Sequence, residues 1–355
     1  MPLKQFDPQT KKKRIIAVAA GKGGVGKSTV ALNLALALQR RGLRIALLDA
    51  DLYGPSLRRM LPEGVLPKQN GPTLLPAETV GIKFLSMAFF QRDDEATAVR
   101  APIANRLIQQ MVTQVDWGEP DLLIIDFPPG TGDIHLTLAQ NVLFDGALMI
   151  TTPQELACAD VRKAMELFDR VDIPLIGIVE NMSYWQNPSS HELFEPFGRG
   201  GGERLAAEKG IPLLARIPID PLLSESADSN ALLFDLEKQH PSPAANAFRQ
   251  LTRDFLEALD KISTPLPPPR CAQIDARTLG LAWEGTPQIA LTAQTIQANC
   301  PCAGCSKKAH TPSSDVAFTS IERVGRYALR FQFSEGCSDG IYTFKSLQSL
   351  TPPQK

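Results

Sequence analysis

Residues 15–29 read IIAVAAGKGGVGKST. An apolar run leads into a glycine-rich turn carrying two lysines, and a second apolar stretch, VALNLALALQ, continues from residue 30 to Arg40, Arg41 and Gly42. The first run is short and β-rich. The second, over residues 28–41, is long enough for a helix and has basic residues and a glycine where a helix would end. Between them, residues 21–28 satisfy G-x-x-x-x-G-K-[ST], and the order strand, turn, helix is the context that makes this pattern a phosphate-binding loop. Glycines let backbone N–H groups turn toward phosphate oxygens, Lys27 supplies positive charge to the β- and γ-phosphates, and Ser28 offers a hydroxyl to Mg²⁺ at a helix N-terminus that favours anions. The expected cofactors are ATP and Mg²⁺. The expected cradle is Gly21, Lys22, Gly23, Gly24, Val25, Gly26, Lys27, Ser28 and Thr29.

Outward from this loop, residues 14–262 alternate short β-rich runs with helical stretches, and further strands are expected at 44–48, 122–125, 147–151, 175–179 and 213–217. These runs are almost continuously apolar, as parallel strands covered on both faces require. The fold class is therefore α/β, a doubly wound and mainly parallel sheet. Asp49 and Asp51 follow the second strand in DADLYGPS, and Asp126 ends the run LLIID. Both places lie at the C-terminal edge of the sheet, where open α/β folds bind ligands. Asp51 is the candidate for orienting or activating water, Asp126 for a Walker B carboxylate holding Mg²⁺ through water, and Gly130, Thr131 and Gly132 for a γ-phosphate-sensing switch.

Composition agrees with a globular chain. Of 355 residues 43% are hydrophobic, and 37 basic side chains face 38 acidic ones, which excludes a disordered polymer and suggests two or three domains. A net charge of −1 provides no global field for nucleic acid or an anionic membrane. No apolar run approaches the roughly 20 residues of a membrane span, and the first 14 residues lack the apolar centre of a signal peptide. The expectation is a cytoplasmic protein without nucleic-acid or membrane partners, in which KKKR at 11–14 is a solvated lead-in to the first strand.

Residues 263–270 contain Pro265, Pro267, Pro268 and Pro269 and read as a stiff linker. The expected plan is a tail over 1–13, the α/β domain over 14–262, the linker over 263–270, a small β-rich metal-binding domain over 271–350 and a tail over 351–355. Strands are expected at 281–291 and 327–333. Five of the six cysteines lie after residue 270, a clustering that in a reducing compartment favours metal over disulfides. Cys300, Cys302 and Cys305 form C-P-C-A-G-C, and Cys337 completes four thiols able to close a tetrahedral site. Zinc, an iron–sulfur cluster and free thiols all remain open at this point, with His310 a weaker substitute for the fourth ligand. Cys158 and Cys271 read as a buried small residue and a linker residue.

The form K-G-G-V-G-K-S-T, with Lys22 inside the loop, resembles the deviant phosphate loop of the MinD/ParA/nitrogenase-iron-protein class of ATPases. That resemblance implies a nucleotide sandwich homodimer in which Lys22 reaches the partner's phosphates. DADLYGPS, PPGTGD, TTPQE at 151–155, DVRKA at 160–164, ENMSYW at 180–185 and FGRGGGER at 197–204 narrow the likeness to the Mrp/ApbC family, over roughly residues 12–260. It implies a slow, dimer-linked ATPase that carries iron–sulfur clusters to apo iron–sulfur proteins, with Asn181 at the adenine and residues 218–221 near the base. The family's C-P-x-C pair, which bridges a cluster between subunits after ENMSY, is replaced here by Asn187, Pro188, Ser189 and Ser190; the nearby His191 reads as a surface residue. NCPCAGC, YALRFQF and SDGIY resemble the small N-terminal domain of gamma-butyrobetaine hydroxylase, also fused behind Mrp-type ATPases in some chloroplast iron–sulfur carriers. There three cysteines and a histidine bind zinc, and Cys337 takes the histidine's position. Two other functions compete with cluster carriage. One is a MinD/ParA-like positioning switch without cluster cargo, which the proline-broken tail FKSLQSLTPPQK disfavours at a membrane. The other is a metal-dependent scaffold whose hydrolysis is vestigial.

Overall fold

The computed structural model describes residues 13–51, 54–90, 101–130, 132–262, 268–302, 304–305, 311–325 and 327–350. Internal contacts divide the chain into two compact units, residues 1–138 with 144–168 and 174–263, and residues 264–355 with 139–143 and 169–173.

The first unit begins with β1 (Arg14–Ala20), α1 (Lys27–Arg40) and β2 (Ile45–Asp49). A short helix α2 (Leu57–Met60), a hairpin of β3 (Lys68–Asn70) and β4 (Thr73–Leu75), and strands β5 (Ala77–Thr79) and β6 (Ile82–Ser86) come next. They are followed by α3 (Ala101–Thr113), β7 (Leu122–Asp126), α4 (Asp133–Asn141), β8 (Gly146–Thr151), α5 (Glu155–Arg170) and β9 (Leu175–Glu180). The hairpin β10 (Trp185–Gln186) and β11 (Leu193–Phe194) precedes α6 (Gly201–Lys209), β12 (Leu213–Arg216), α7 (Pro221–Asp228), α8 (Leu233–Leu236) and α9 (Pro243–Lys261). Eight strands form one sheet in the order β12-β9-β8-β1-β7-β2-β6-β5, parallel throughout except for the edge pair β5 and β6. The fold is the mainly parallel, helix-covered sheet that the apolar runs imply. β2, β7 and β8 are fully buried, and α1 is buried on nearly every face from Val30 to Leu38, so both pack as inner layers. At the sheet's outer side α9 buries Phe248, Leu251, Phe255 and Leu259 at helical spacing, and Ser242 caps its first turn.

Strand register sets up the site. Val18 of β1 and Asp49 of β2 both lie opposite Asp126 of β7. The exit of β1 into the glycine loop and the two carboxylates therefore share one edge of the sheet.

In the second unit β13 (Arg270–Asp275), β14 (Thr278–Ala282) and β15 (Ile289–Thr292) form an antiparallel sheet followed by α10 (Ala293–Ala298). β16 (Phe318–Val324), β17 (Ala328–Phe333) and β18 (Ile341–Thr343) form another, followed by α11 (Phe344–Ser349). The single strand expected over 281–291 is instead a hairpin in which Leu281 pairs with Ile289. Gly285, at φ 75°, turns the chain, and the Trp283 carbonyl accepts from both the Thr286 N–H and its hydroxyl. Pro287 beyond it has no ladder donor to offer. Leu279, Leu281, Phe331 and Tyr342 form the core of this unit. No described helix is long and apolar enough to cross a membrane.

Candidate functional site

Gly26 caps α1 in a left-handed conformation, φ 78°, and its carbonyl accepts the Val30 N–H at 2.9 Å. A Cβ at Gly26 would stand 2.2 Å from the Asn181 amide nitrogen, and one at Gly21 would stand 2.1 Å from the Asp160 carbonyl carbon of α5. Only glycine fits at either place. The loop is thus held from two sides. Asn181, buried just beyond β9, donates its side-chain N–H to the Val25 carbonyl at 2.9 Å while its own backbone N–H is fixed by Thr151. Residues 217–219 run alongside: Ile217 N–H donates to Glu180, Ser183 N–H to Ile217 and Ile219 N–H to Tyr184. Asn181 thus touches the phosphate loop directly, and residues 217 and 219 pair with the segment that carries it.

Lys27 and Asp126 meet at the loop's base. The Lys27 ammonium lies 2.5 Å from Asp126 Oδ1 and 3.2 Å from the Ser28 hydroxyl, and the two side chains are 7% and 0% exposed. Burial raises the Asp126 carboxyl above its usual range and Lys27 opposes the shift. Its other oxygen, Oδ2, is buried without a hydrogen-bond partner among the described residues. Asp49 is equally buried but well supported: its carboxylate accepts from the Ser86 hydroxyl at 3.1 Å and from the Asp51 and Leu57 N–H groups. Burial and the neighbouring Asp126 push it up to about 7. Asp51 is half-buried and accepts from Gly54 N–H at 3.2 Å, close enough for its charge to be felt at Asp126. Lys22 is half-buried on the loop. Gly130 and Gly132 are described, whereas Thr131 lies outside the described residues, as does His310. A lone buried carboxylate oxygen next to a serine hydroxyl and a phosphate-type loop is a donor set suited to a hydrated hard cation.

Residues 187–190 form a polar turn. Asn187 Oδ1 accepts the N–H groups of Ser189 and Ser190 at 2.9 and 3.2 Å, and exposed His191 donates its N–H back to the Asn187 carbonyl. No thiol lies in this turn. Beside it, Glu180 is fully buried and accepts from Gly202 N–H, the Ser183 hydroxyl and Arg216, which also binds Glu195 at 2.6 Å. Sequence reasoning singled out neither this network nor buried His135. The only sequence signal for either was a charged or titratable residue inside an otherwise apolar or glycine-rich stretch.

In the second unit the sulfurs of Cys300, Cys302, Cys305 and Cys337 all lie within 4.8 Å of one another. Cys337 is 3.5 Å from Cys302 and 3.8 Å from Cys300. Thiolates about 2.3 Å from one tetrahedral ion stand about 3.8 Å apart, so the cluster has the dimensions of a single-ion site. A cluster with several irons would spread its cysteines over separate metal atoms. The Cys305 N–H holds the Cys302 thiol down to about 7, with Cys337 adding to the effect, whereas burial raises Cys300. Gly340 passes so close that a Cβ would sit 2.8 Å from the Cys300 sulfur. Cys158 is on the buried face of α5, and Cys271 lies exposed on β13.

Residues 11–256 match the ParA family described as NUBPL iron-transfer P-loop NTPase, and residues 272–348 match the gamma-butyrobetaine hydroxylase-like N-terminal domain. An iron-sulfur cluster carrier protein of Pseudomonas fragi is 47% identical over 220 residues, 61% of this chain and 77% of that one. The nucleotide-binding protein of Archaeoglobus fulgidus, solved with ADP, superposes with a TM-score of 0.55 at 35% identity over 66% of this chain and 91% of its own. MinD of Pyrococcus horikoshii, solved with Mg-ADP, gives 0.52 at 23% identity over 71% and 98%, a likeness of fold. With its glycine loop, strand-end carboxylates and four-thiol module all in place, the chain belongs to the NUBPL iron-transfer P-loop NTPase family and carries a gamma-butyrobetaine hydroxylase-like domain behind it.

Proposed function

We propose that this chain binds and hydrolyses ATP with Mg²⁺ as a homodimer, slowly and only in the dimer, and uses that cycle to assist transfer of iron–sulfur clusters to apoproteins. The observation that carries the reading is the buried Lys27–Asp126 pair at the base of the loop, with Asp126 Oδ2 unpartnered and Ser28 adjacent. On nucleotide binding Lys27 exchanges Asp126 for the β- and γ-phosphates, and Asp126 Oδ2 and the Ser28 hydroxyl are the groups that would hold Mg²⁺. Mg²⁺ held there would neutralise charge on the phosphates. Asp51 orients the attacking water, Lys22 stabilises the partner's γ-phosphate, and Asn181, which also holds the loop, contacts the adenine with residues 218–221 near the base.

Cluster transfer is supported by the family and by relatives that carry that role in their names. The Asn187–Ser190 turn supplies no thiolate for a bridging cluster, and the four-thiol module fits one zinc ion. The chain is accordingly an ATP-driven assembly factor that does not bridge a cluster at that turn. The same missing thiols favour, as a second reading, a MinD/ParA-like switch without cluster cargo. Anaerobic purification with zinc, iron and sulfide analysis, followed by ATP-dependent cluster transfer from a loaded donor to an apo-acceptor, tests both. One zinc per chain, no sulfide and faster transfer with ATP is the expected result. A brown protein rich in sulfide overturns the zinc assignment, and transfer indifferent to ATP leaves the switch.

A further inference from the structure

His135 stands on the first turn of α4, 1% exposed, and neither of its ring nitrogens has a hydrogen-bond partner among the described residues. A neutral imidazole carries one donor and one acceptor, and burying both unpaired is costly. Its ring lies edge-on against Phe127 at 5.2 Å, and Phe127 packs in turn on Phe144 and Phe168. A phenylalanine would fill such surroundings without an orphaned polar group. The ring thus has, at its nitrogens, capacity for bonds that this state of the protein does not make.

Its position says which state. Phe127 directly follows Asp126, and its N–H donates to Val18 of β1, the strand that runs into the phosphate loop. Gly130 N–H donates to Ala20 at the end of the same strand, and the His135 N–H closes the turn on the Gly132 carbonyl at 3.0 Å. His135 thus touches both ends of the segment between β7 and α4, by its ring at Phe127 and by its backbone at Gly132. Burial, with the charge of Lys27 adding to it, keeps the imidazole neutral, with a pKa down to about 4.

We propose that His135 is a positioning residue for hydrolysis: in the ATP-bound state its ring nitrogens take up main-chain hydrogen bonds at Gly130 and Gly132 and hold these two glycines for reaction. This inference rests on the ATPase reading above. It assigns no proton transfer to the ring.

The test uses the full-length chain with its metal. In His135→Phe, which keeps the aromatic contact, kcat should fall at least tenfold, with KM and the affinity for a non-hydrolysable ATP analogue within twofold of wild type and no loss of thermal stability. His135→Asn or His135→Gln, whose amides both donate and accept, should bring kcat to within threefold of wild type in at least one case. The chain has four histidines, so ¹⁵N-histidine labelling resolves the ring directly. Its nitrogen resonances should move with the Mg²⁺-bound analogue and stay in place with ADP. Wild-type kcat in His135→Phe, or equal impairment in all three variants, overturns the assignment. Should His135→Phe fail to fold, kcat of the amide variants decides, and neither within threefold overturns it. A wild-type protein that binds ATP and hydrolyses none overturns both this inference and the reading it rests on, whereas normal hydrolysis that ignores His135 removes this inference alone.

Discussion

Replacing Asp126 with asparagine should make the protein less stable and, without Mg²⁺, a tighter binder of ADP. Lys27 lies 2.5 Å from the Asp126 carboxylate with both side chains buried. Taking away one member of a buried pair leaves the other charge uncompensated, at a cost of about 3–5 kcal/mol. For a domain of this size each kcal/mol shifts the melting temperature by about 2–4 °C. The nucleotide-free variant should therefore melt roughly 6–20 °C lower. The same lost bond removes a competitor for the phosphates. If Lys27 no longer has to leave a charged partner, the gain is about that of one charge-assisted hydrogen bond, about 1.5–3 kcal/mol, or about 10- to 150-fold in affinity.

Calorimetric titration of ADP in EDTA reads the affinity, and thermal melting with and without ADP reads the stability. The expected pattern is a lower melting point, a larger rise on adding ADP than in wild type, and no further gain from Mg²⁺, because Asp126 Oδ2 is the acceptor left free for it. The double variant Lys27→Ala, Asp126→Asn should recover part of the melting temperature and lose the ADP gain. An Asp126→Asn protein with wild-type ADP affinity in EDTA would show that the ion pair does not hold Lys27 back, and the exchange of partners would have to be abandoned.

Lys22→Ala should keep its affinity for ATP while losing hydrolysis and ATP-linked dimerisation, since its contact is with the partner's nucleotide; turnover together with sedimentation velocity checks this, and unchanged values for both count against a sandwich dimer. Asp51→Asn should bind ATP and slow its hydrolysis by about 10²- to 10⁴-fold, because an amide cannot accept the water proton, and wild-type turnover would remove Asp51 from that role. Cys302→Ser and Cys337→Ser, which break the 3.5 Å sulfur pair, should each lower zinc below one per chain and open residues 270–350 to protease, since ion binding and folding of so small a module are coupled. Full zinc and full protease resistance in both variants would show that these thiols hold no ion.

The phosphate loop, the Asp126 strand end and the four C-terminal thiols were legible in the sequence because each is written in a few neighbouring residues, or in a residue type whose chemistry is rare elsewhere. What the sequence concealed depends on contacts between distant segments. Asn181 reaches Val25 across 156 residues, and the need for glycine at Gly26 comes from that amide, not from the turn alone. His135 offers no local pattern either, since its burial is decided by Phe127, Phe144 and Phe168 around it. The hairpin over 278–292 was missed for the opposite reason. Its two arms are apolar enough to read as one strand, and only the turn at Gly285 and Pro287 separates them.

A polar turn at 187–190 does not leave the β10–β11 hairpin loose. Trp185 pairs with Phe194 and Gln186 with Leu193, and Asn187 closes the tip through the N–H groups of Ser189 and Ser190. Arg216 binds both the buried Glu180 at the end of β9 and Glu195 just beyond β11, with its guanidinium 5.6 Å from the centre of the Tyr184 ring. Buried charges persist when their hydrogen-bonding capacity is filled, and Glu180 meets that condition through Gly202, Ser183 and Arg216. The residue after Glu180 is Asn181, whose amide holds the phosphate loop. The hairpin and the nucleotide loop are thus fixed to the same strand end by groups within one subunit, so the hairpin is held in place without a bridging cluster. The position of the phosphate loop against this strand end therefore depends on no thiol in the turn.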